Sequence, residues 1–174
     1  MSATSSSVLD AAAILGIGTP STEPLPPPEE GWIVLRIPDG LTLQALRDSP
    51  AGKERMWAQD WYDTYPWSTE ALPAGDYHLR IPVSGSRRKT FAEQQAMFPP
   101  GEEVAPVVLV AAALLCIERQ RGPDPLNRSW TRCAEQTAEG HRVVLFWSDG
   151  RLGVHDDWVA FPGDGVVGSS LRTS

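Results

Sequence analysis

The sequence predicts an α+β fold, with helices packed on an antiparallel sheet and a β-meander at the C-terminal end. The run VVLVAAALLCIERQR at 107–121 is apolar on nearly every side until Glu118, the pattern of a helix buried in the middle of a domain. The segments before it carry mixed helix and strand signals. Those after it become short strands punctuated by Glu139-Gly140 and Asp149-Gly150. An Asp-Gly between two apolar runs is a strong hairpin signal, because a type I′ turn needs positive φ at both central positions. Helices concentrated early and antiparallel strands late make the α+β pattern.

Taken in order, residues 1–30 combine Ser, Thr and Pro and end in TPSTEPLPPPEE, a composition that predicts a flexible or surface-draped arm. Residues 31–174 then form a single domain. GWIVLRI at 31–37 reads as a strand stopped by Pro38-Asp39-Gly40. The stretch from Leu41 to Trp67 holds a short apolar turn, a break at Ser-Pro-Ala-Gly, and a helix that sets Met56 and Trp57 close to i, i+4 spacing from Trp61 and Tyr62. That helix must end before Pro66. PAGDYHLRIPV at 73–83 alternates Tyr77, Leu79 and Ile81 against His78 and Arg80, a strand with one buried face. Thr90 and Glu93 form a capping box for a short helix reaching about Phe98. Pro106 suits the first turn of the buried helix, and Gly122-Pro123 ends it. SWTRCAEQT, HRVVLFWS, RLGVHDDWV and GVVGSSLRT complete the chain as four strands.

Composition narrows the function. The 174 residues carry a net charge of −7, which argues against a surface that neutralises a nucleic-acid backbone. The one basic cluster, Arg87-Arg88-Lys89, reads as a solvated loop, and no nucleic-acid partner is expected. Cys116 and Cys133 lack the spacing of a zinc site and are expected to be buried free thiols. The N-terminal stretch has no basic region ahead of its apolar run, and the apolar part of the long helix spans about 11 residues where a bilayer needs ~20. No membrane insertion is expected, and synthesis in the cytoplasm follows. Neither a Walker loop nor GxGxxG occurs, so no nucleotide cofactor, nor any other, is expected.

His155-Asp156-Asp157 is the most reactive-looking cluster. A His beside carboxylates can act as a base or metal ligand, yet on a strand only His155 and Asp157 share a face, and no further metal ligand accompanies them. His78 and His141 have no partner visible in the sequence. Cys116 lies in an apolar helix, a setting that buries a thiol and does not activate it. Trp61, Tyr62, Tyr65 and Trp67 fit an aromatic ligand groove and an aromatic core patch equally.

LPAGDYHLRIPV, SGSRRKTFAEQQ, GEEVAPVVLVAAALLC and SSLRTS resemble a family of uncharacterised bacterial proteins known chiefly from environmental sequence. The resemblance covers roughly residues 66–174, and 31–65 more loosely. An α+β body with a short variable stretch near its C-terminal end also looks like the target proteins of diversity-generating retroelements. That resemblance implies a C-type lectin-like fold and a C-terminal segment rewritten at template adenines. Rewriting of asparagine codons excludes Trp, Met, Gln, Glu and Lys; from Ser148 to Ser174 only Trp158, the expected scaffold position, belongs to that set. A calcium-binding Glu-Pro-Asn or Trp-Asn-Asp is absent, so calcium-dependent sugar binding is not implied.

The first expectation is a non-enzymatic binding or display module. Its C-terminal hairpin presents His155, Asp156, Asp157, Val159, Ala160, Phe161, Pro162 and Asp164 to a protein ligand, with Val154, Trp158 and the SSLR segment holding it to the body. One alternative is a small enzyme with its site in the aromatic run Trp61–Trp67, using His78 or His155 as base. Another is a structural or regulatory partner protein, marked by an exposed apolar patch away from that hairpin.

Overall fold

A computed structural model describes residues 7–121, 126, 128–158, 160, 162 and 165–172. At its centre lies the helix that the apolar run predicts, here Val107–Arg121. It contacts strands of two separate sheets, which is why ten consecutive residues from Val107 to Cys116 are buried. Glu135 caps its first turn, both carboxylate oxygens accepting from the Val107 N–H (3.0 and 2.8 Å). At the other end Arg119 pairs with Glu54 (2.7 Å) and Arg121 donates to Ser7, so cations stand where the helix dipole is negative.

The chain is mixed α+β. Strands β1 (Ser7–Asp10), β2 (Ile33–Ile37), β3 (Gly75–Arg80), β4 (Glu102–Val104) and β9 (Ser170–Arg172) form a first sheet in the order β1-β2-β3-β9-β4. Strands β5 (Trp130–Gln136), β6 (Arg142–Ser148), β7 (Arg151–Asp157) and β8 (Val166–Gly168) form a second, in the order β7-β6-β5-β8. Four short helices, α1 (Ala11–Leu15), α2 (Leu43–Asp48), α3 (Pro50–Arg55) and α4 (Phe91–Gln95), accompany them and the central helix, α5.

The single antiparallel sheet with a four-strand meander is therefore corrected. Strands β5, β6 and β7 are a meander, and Asp149 and Gly150 turn it with φ of 50° and 73°, as a type I′ turn requires. The last run, however, breaks at Ser169: β8 pairs parallel with β5, and β9 crosses into the first sheet between β3 and β4. The Ser169 hydroxyl donates to the Arg132 carbonyl (2.7 Å), fixing the crossing point.

The flexible arm is corrected over residues 7–15. Strand β1 pairs parallel with β2, and Leu9, Ala11 and Leu15 are buried in the core. Asp10 caps α1 through Ala13 (3.1 Å), and Gly16 ends it at a φ of 69°. The Pro-rich stretch that follows is tied down as well: Arg36 donates to the Glu23 carbonyl (2.6 Å) and Arg172 to the Glu29 carboxylate (2.8 Å).

Two further corrections fall between residues 49 and 62. Ser-Pro-Ala-Gly begins a helix: the Ser49 hydroxyl caps Gly52 (3.0 Å) and Pro50 takes the first turn. A Cβ at Gly52 would lie 2.0 Å from the Leu46 carbonyl oxygen, so glycine serves the close approach of α2 to α3. The helix then stops at Met56, and residues 56–61 run along the free edge of β7. Trp57 N–H donates to Leu152 O (2.9 Å), Val154 N–H to Gln59 Oε1 (2.9 Å), and Trp61 Nε1 to Val154 O (3.2 Å). These edge bonds, invisible to a periodicity, override the helical spacing.

Candidate binding surface

The second sheet turns Val143, Leu145, Trp147, Leu152 and Val154 to the core. Alternation sends Trp130, Arg132, Phe146, Gly153, His155 and Asp157 to its other face. Half of that face is closed. Arg132, fully buried, donates to Lys89 O (2.9 Å), Gln94 Oε1 (3.2 Å), Asp157 Oδ2 (2.8 Å) and Trp158 O (3.3 Å). The bonded Gln94 belongs to α4, whose capping box stands as expected: Thr90 N–H donates to Glu93 Oε2 (2.7 Å) and Glu93 N–H to the Thr90 hydroxyl (3.3 Å). Phe91 lies under the Arg142 guanidinium (4.0 Å).

The other half carries three rings from adjacent strands. Trp130 and Phe146 stack at 5.1 Å, and His155 lies 5.7 Å from Trp130. Gly153 is the floor, since a Cβ there would sit 2.3 Å from Phe146 Cζ. The ring thus lies flat over bare backbone and offers an aromatic surface. Gly153→Ala is expected to lift that ring and cost about 1–3 kcal/mol by overpacking; a lower melting temperature with an altered near-ultraviolet Trp130 signal checks it.

The expected site residues divide. His155 is exposed, and its Nδ1 lies within hydrogen-bonding distance of both the Asp156 N–H (2.7 Å) and the Asp156 carboxylate (3.1 Å). Asp156 pairs with His141 Nδ1 (2.7 Å), and the His141 ring packs 4.4 Å from Trp158. Asp157 is held on Arg132. Ala160 and Pro162 are exposed, while Val159, Phe161 and Asp164 lie outside the described residues. Val154 and Ser169–Leu171 are buried and hold both ends of the segment. Trp158 departs from the expected scaffold role: its carbonyl accepts from Arg132 and its ring meets His141, but the residue is 67% exposed.

The sequence reading missed Trp130 and Phe146. The signal was available, because inward Val143, Leu145 and Trp147 force Phe146 outward, but the stacking requires the register that places β5 beside β6. The aromatic run near residue 61 resolves as a packed cluster. Trp61, Tyr62, Tyr65 and Trp67 contact one another at 5.3–6.3 Å, Tyr62 is fully buried, and Trp67 Nε1 donates to Gln136 O (3.1 Å). His78 stands on β3 in the first sheet, whereas His155 stands on β7 in the second and His141 just precedes β6. Both cysteines are buried; burial pushes the Cys116 thiol up to about 12 and raises Cys133 well above the usual thiol range.

Among the described residues, no group of three or more His, Cys, Asp or Glu could hold a metal ion, and no helix is long and apolar enough to cross a membrane. Compared with family models, curated proteins and solved structures, the chain has no match in any of the three.

Proposed function

We propose that this chain is a binding module that engages a protein partner through the open half of the second sheet and the adjoining segment 155–162. The observation that carries the reading is the placement of Trp130 and Trp158, 37% and 67% exposed, which are the large exposed hydrophobic residues of the described chain. Tryptophans that bury on association dominate interface energetics, and a surrounding polar rim excludes water from them. Here His155, Asp156 and His141 supply that rim. Trp130, beside His155, and Trp158, beside His141, lie next to the C-terminal hairpin, whereas the structural-partner alternative expects its apolar patch away from it.

The narrower form of the proposal makes residues 155–164 the variable tip of a C-type lectin-like display protein. What supports it is the contrast between locked flanks, Val154 and Ser169–Leu171, and an exposed middle at His155, Ala160 and Pro162. Sequencing this gene and its flanks across a source population tests that form: variation confined to these codons, with a matching template repeat, supports it, and an invariant stretch removes it.

The broader reading has its own test. A photo-crosslinking side chain in place of Ala160 is expected to give a discrete adduct with a partner from the source cells. Trp130→Ala with Trp158→Ala is expected to abolish that adduct while the fold persists. An adduct unaffected by the double substitution sinks the proposal.

A further inference from the structure

We propose that the cleft between α3, residues 56–60 and the start of β7 binds a compact organic anion, a carboxylate or phosphate carried on a planar or apolar body. The cleft encloses about 420 Å³, within the size range of small-molecule sites. Met56, buried at 2% exposure, and the Trp57 ring give it an apolar wall. Its charged lining comprises Arg47, Lys53 and Arg151 against Asp48 and Asp60, an excess of cation in a chain whose net charge is −7.

The cations are not equivalent. Arg47 is fully engaged as a strut, donating to the Gln59 carbonyl (2.7 Å), Asp63 (2.6 Å) and Asp48 (3.0 Å). Those bonds brace the wall formed by residues 56–60 and occupy Asp48. Lys53 and Arg151 have no ion-pair partner among the described residues, and the Arg151 guanidinium lies 5.6 Å from the centre of the Trp57 ring. The Trp57 Nε1–H is buried without an acceptor. A buried donor without an acceptor is costly enough to call for an explanation. Two unpaired cations thus flank the Trp57 wall, opposed in the lining by one carboxylate, Asp60, that no cation holds among the described residues. The larger open cleft, about 630 Å³ beside β2, has the opposite character: Asp10, Glu23, Asp39 and Asp76 line it, and its one arginine, Arg36, is closed bidentately on Asp76 (2.6 and 2.7 Å).

The site lies at the free edge of β7 and shares no residue with Trp130, Phe146, His155 or Trp158, so its test reads out separately from partner binding. Phenyl phosphate titrated into the full chain is expected to shift the indole N–H resonance of Trp57, identified by its loss in Trp57→Phe, with saturation at roughly millimolar concentration. Lys53→Ala and Arg151→Ala are each expected to weaken binding about tenfold, the scale of one charge-assisted hydrogen bond. Both residues are exposed, and an unchanged melting temperature confirms that each variant folds. Benzoate binding as well as phenyl phosphate would mark a general anion site, while a strong preference for one assigns the headgroup. The absence of any saturable shift at tens of millimolar would overturn the proposal. So would unchanged affinity in both variants, or equal binding of neutral benzyl alcohol.

Discussion

Arg132→Ala is expected to destabilise the fold by about 3–5 kcal/mol, the cost of breaking a buried, hydrogen-bonded ion pair from one side. No side-chain atom of Arg132 reaches solvent, and its guanidinium serves acceptors from three places: Lys89 and Gln94 around α4, Asp157 at the end of β7, and the carbonyl of Trp158. Removing it leaves a carboxylate, an amide oxygen and two backbone carbonyls facing one another without a donor. Arg132→Lys should recover only part of the loss, because an ammonium is a point charge and cannot fork between acceptors on opposite sides. Urea unfolding of the three proteins checks the order: wild type, then lysine, then alanine. A loss below about 1 kcal/mol in the alanine variant would show that these contacts are not made in solution.

The second large effect concerns pH. Burial pushes the Glu135 carboxyl up to about 7 from its usual 4.5, with the Val107 hydrogen bond pulling the other way and Glu70 adding to the rise. A carboxyl with a raised value binds its proton more tightly folded than unfolded. Its contribution therefore favours folding at low pH and is lost as pH rises from about 4.5 through about 7. Above that window the folded chain carries a poorly solvated carboxylate at a cost of order 3 to 4 kcal/mol, at ~1.4 kcal/mol per unit. Glu135→Gln keeps an acceptor for the Val107 N–H and removes the charge. The variant is thus expected to gain on the wild type steadily between pH 5 and 7, the gain levelling off above ~7. Thermal unfolding of both proteins across that range measures the difference, and parallel curves would rule the effect out.

How far the sequence reveals this molecule depends on the distance over which each signal acts. The capping box at Thr90 and Glu93, the Asp149-Gly150 turn and the all-apolar helix are determined within a few residues, and each stands where its local chemistry places it. The errors are non-local. Met56 to Tyr62 has helical spacing and is nevertheless drawn out along β7 by Gln59 and Trp61. Strand β1 and helix α1 are four and five residues long, too short for a periodicity, and become ordered only because β2 and α5 lie against them. At the candidate surface, the reactive look of His155 and Asp156 is legible because it is chemical. The outward turn of Trp158 is not, since a tryptophan at a strand end is ordinarily an anchor. Trp130 and Phe146 become a surface only once two strands are set side by side.

The position of β9 has a consequence for how the chain can be divided. Among the described residues, the backbone ladder joins β4 to its sheet through residues 170–172, and β3 meets that same strand on the other side. The first sheet is thus assembled from pieces scattered between residues 7 and 172, interleaved with the whole of the second. Neither half of the chain holds a closed sheet, so no fragment is a smaller version of the protein. A single cut at the exposed turn around Ala138 and Glu139 leaves two pieces that each complete the other, and separating them dismantles both sheets together. Contacts this distant in sequence impose a large loop-closure entropy before they are rewarded, so the topology belongs to the slow end of domain folding.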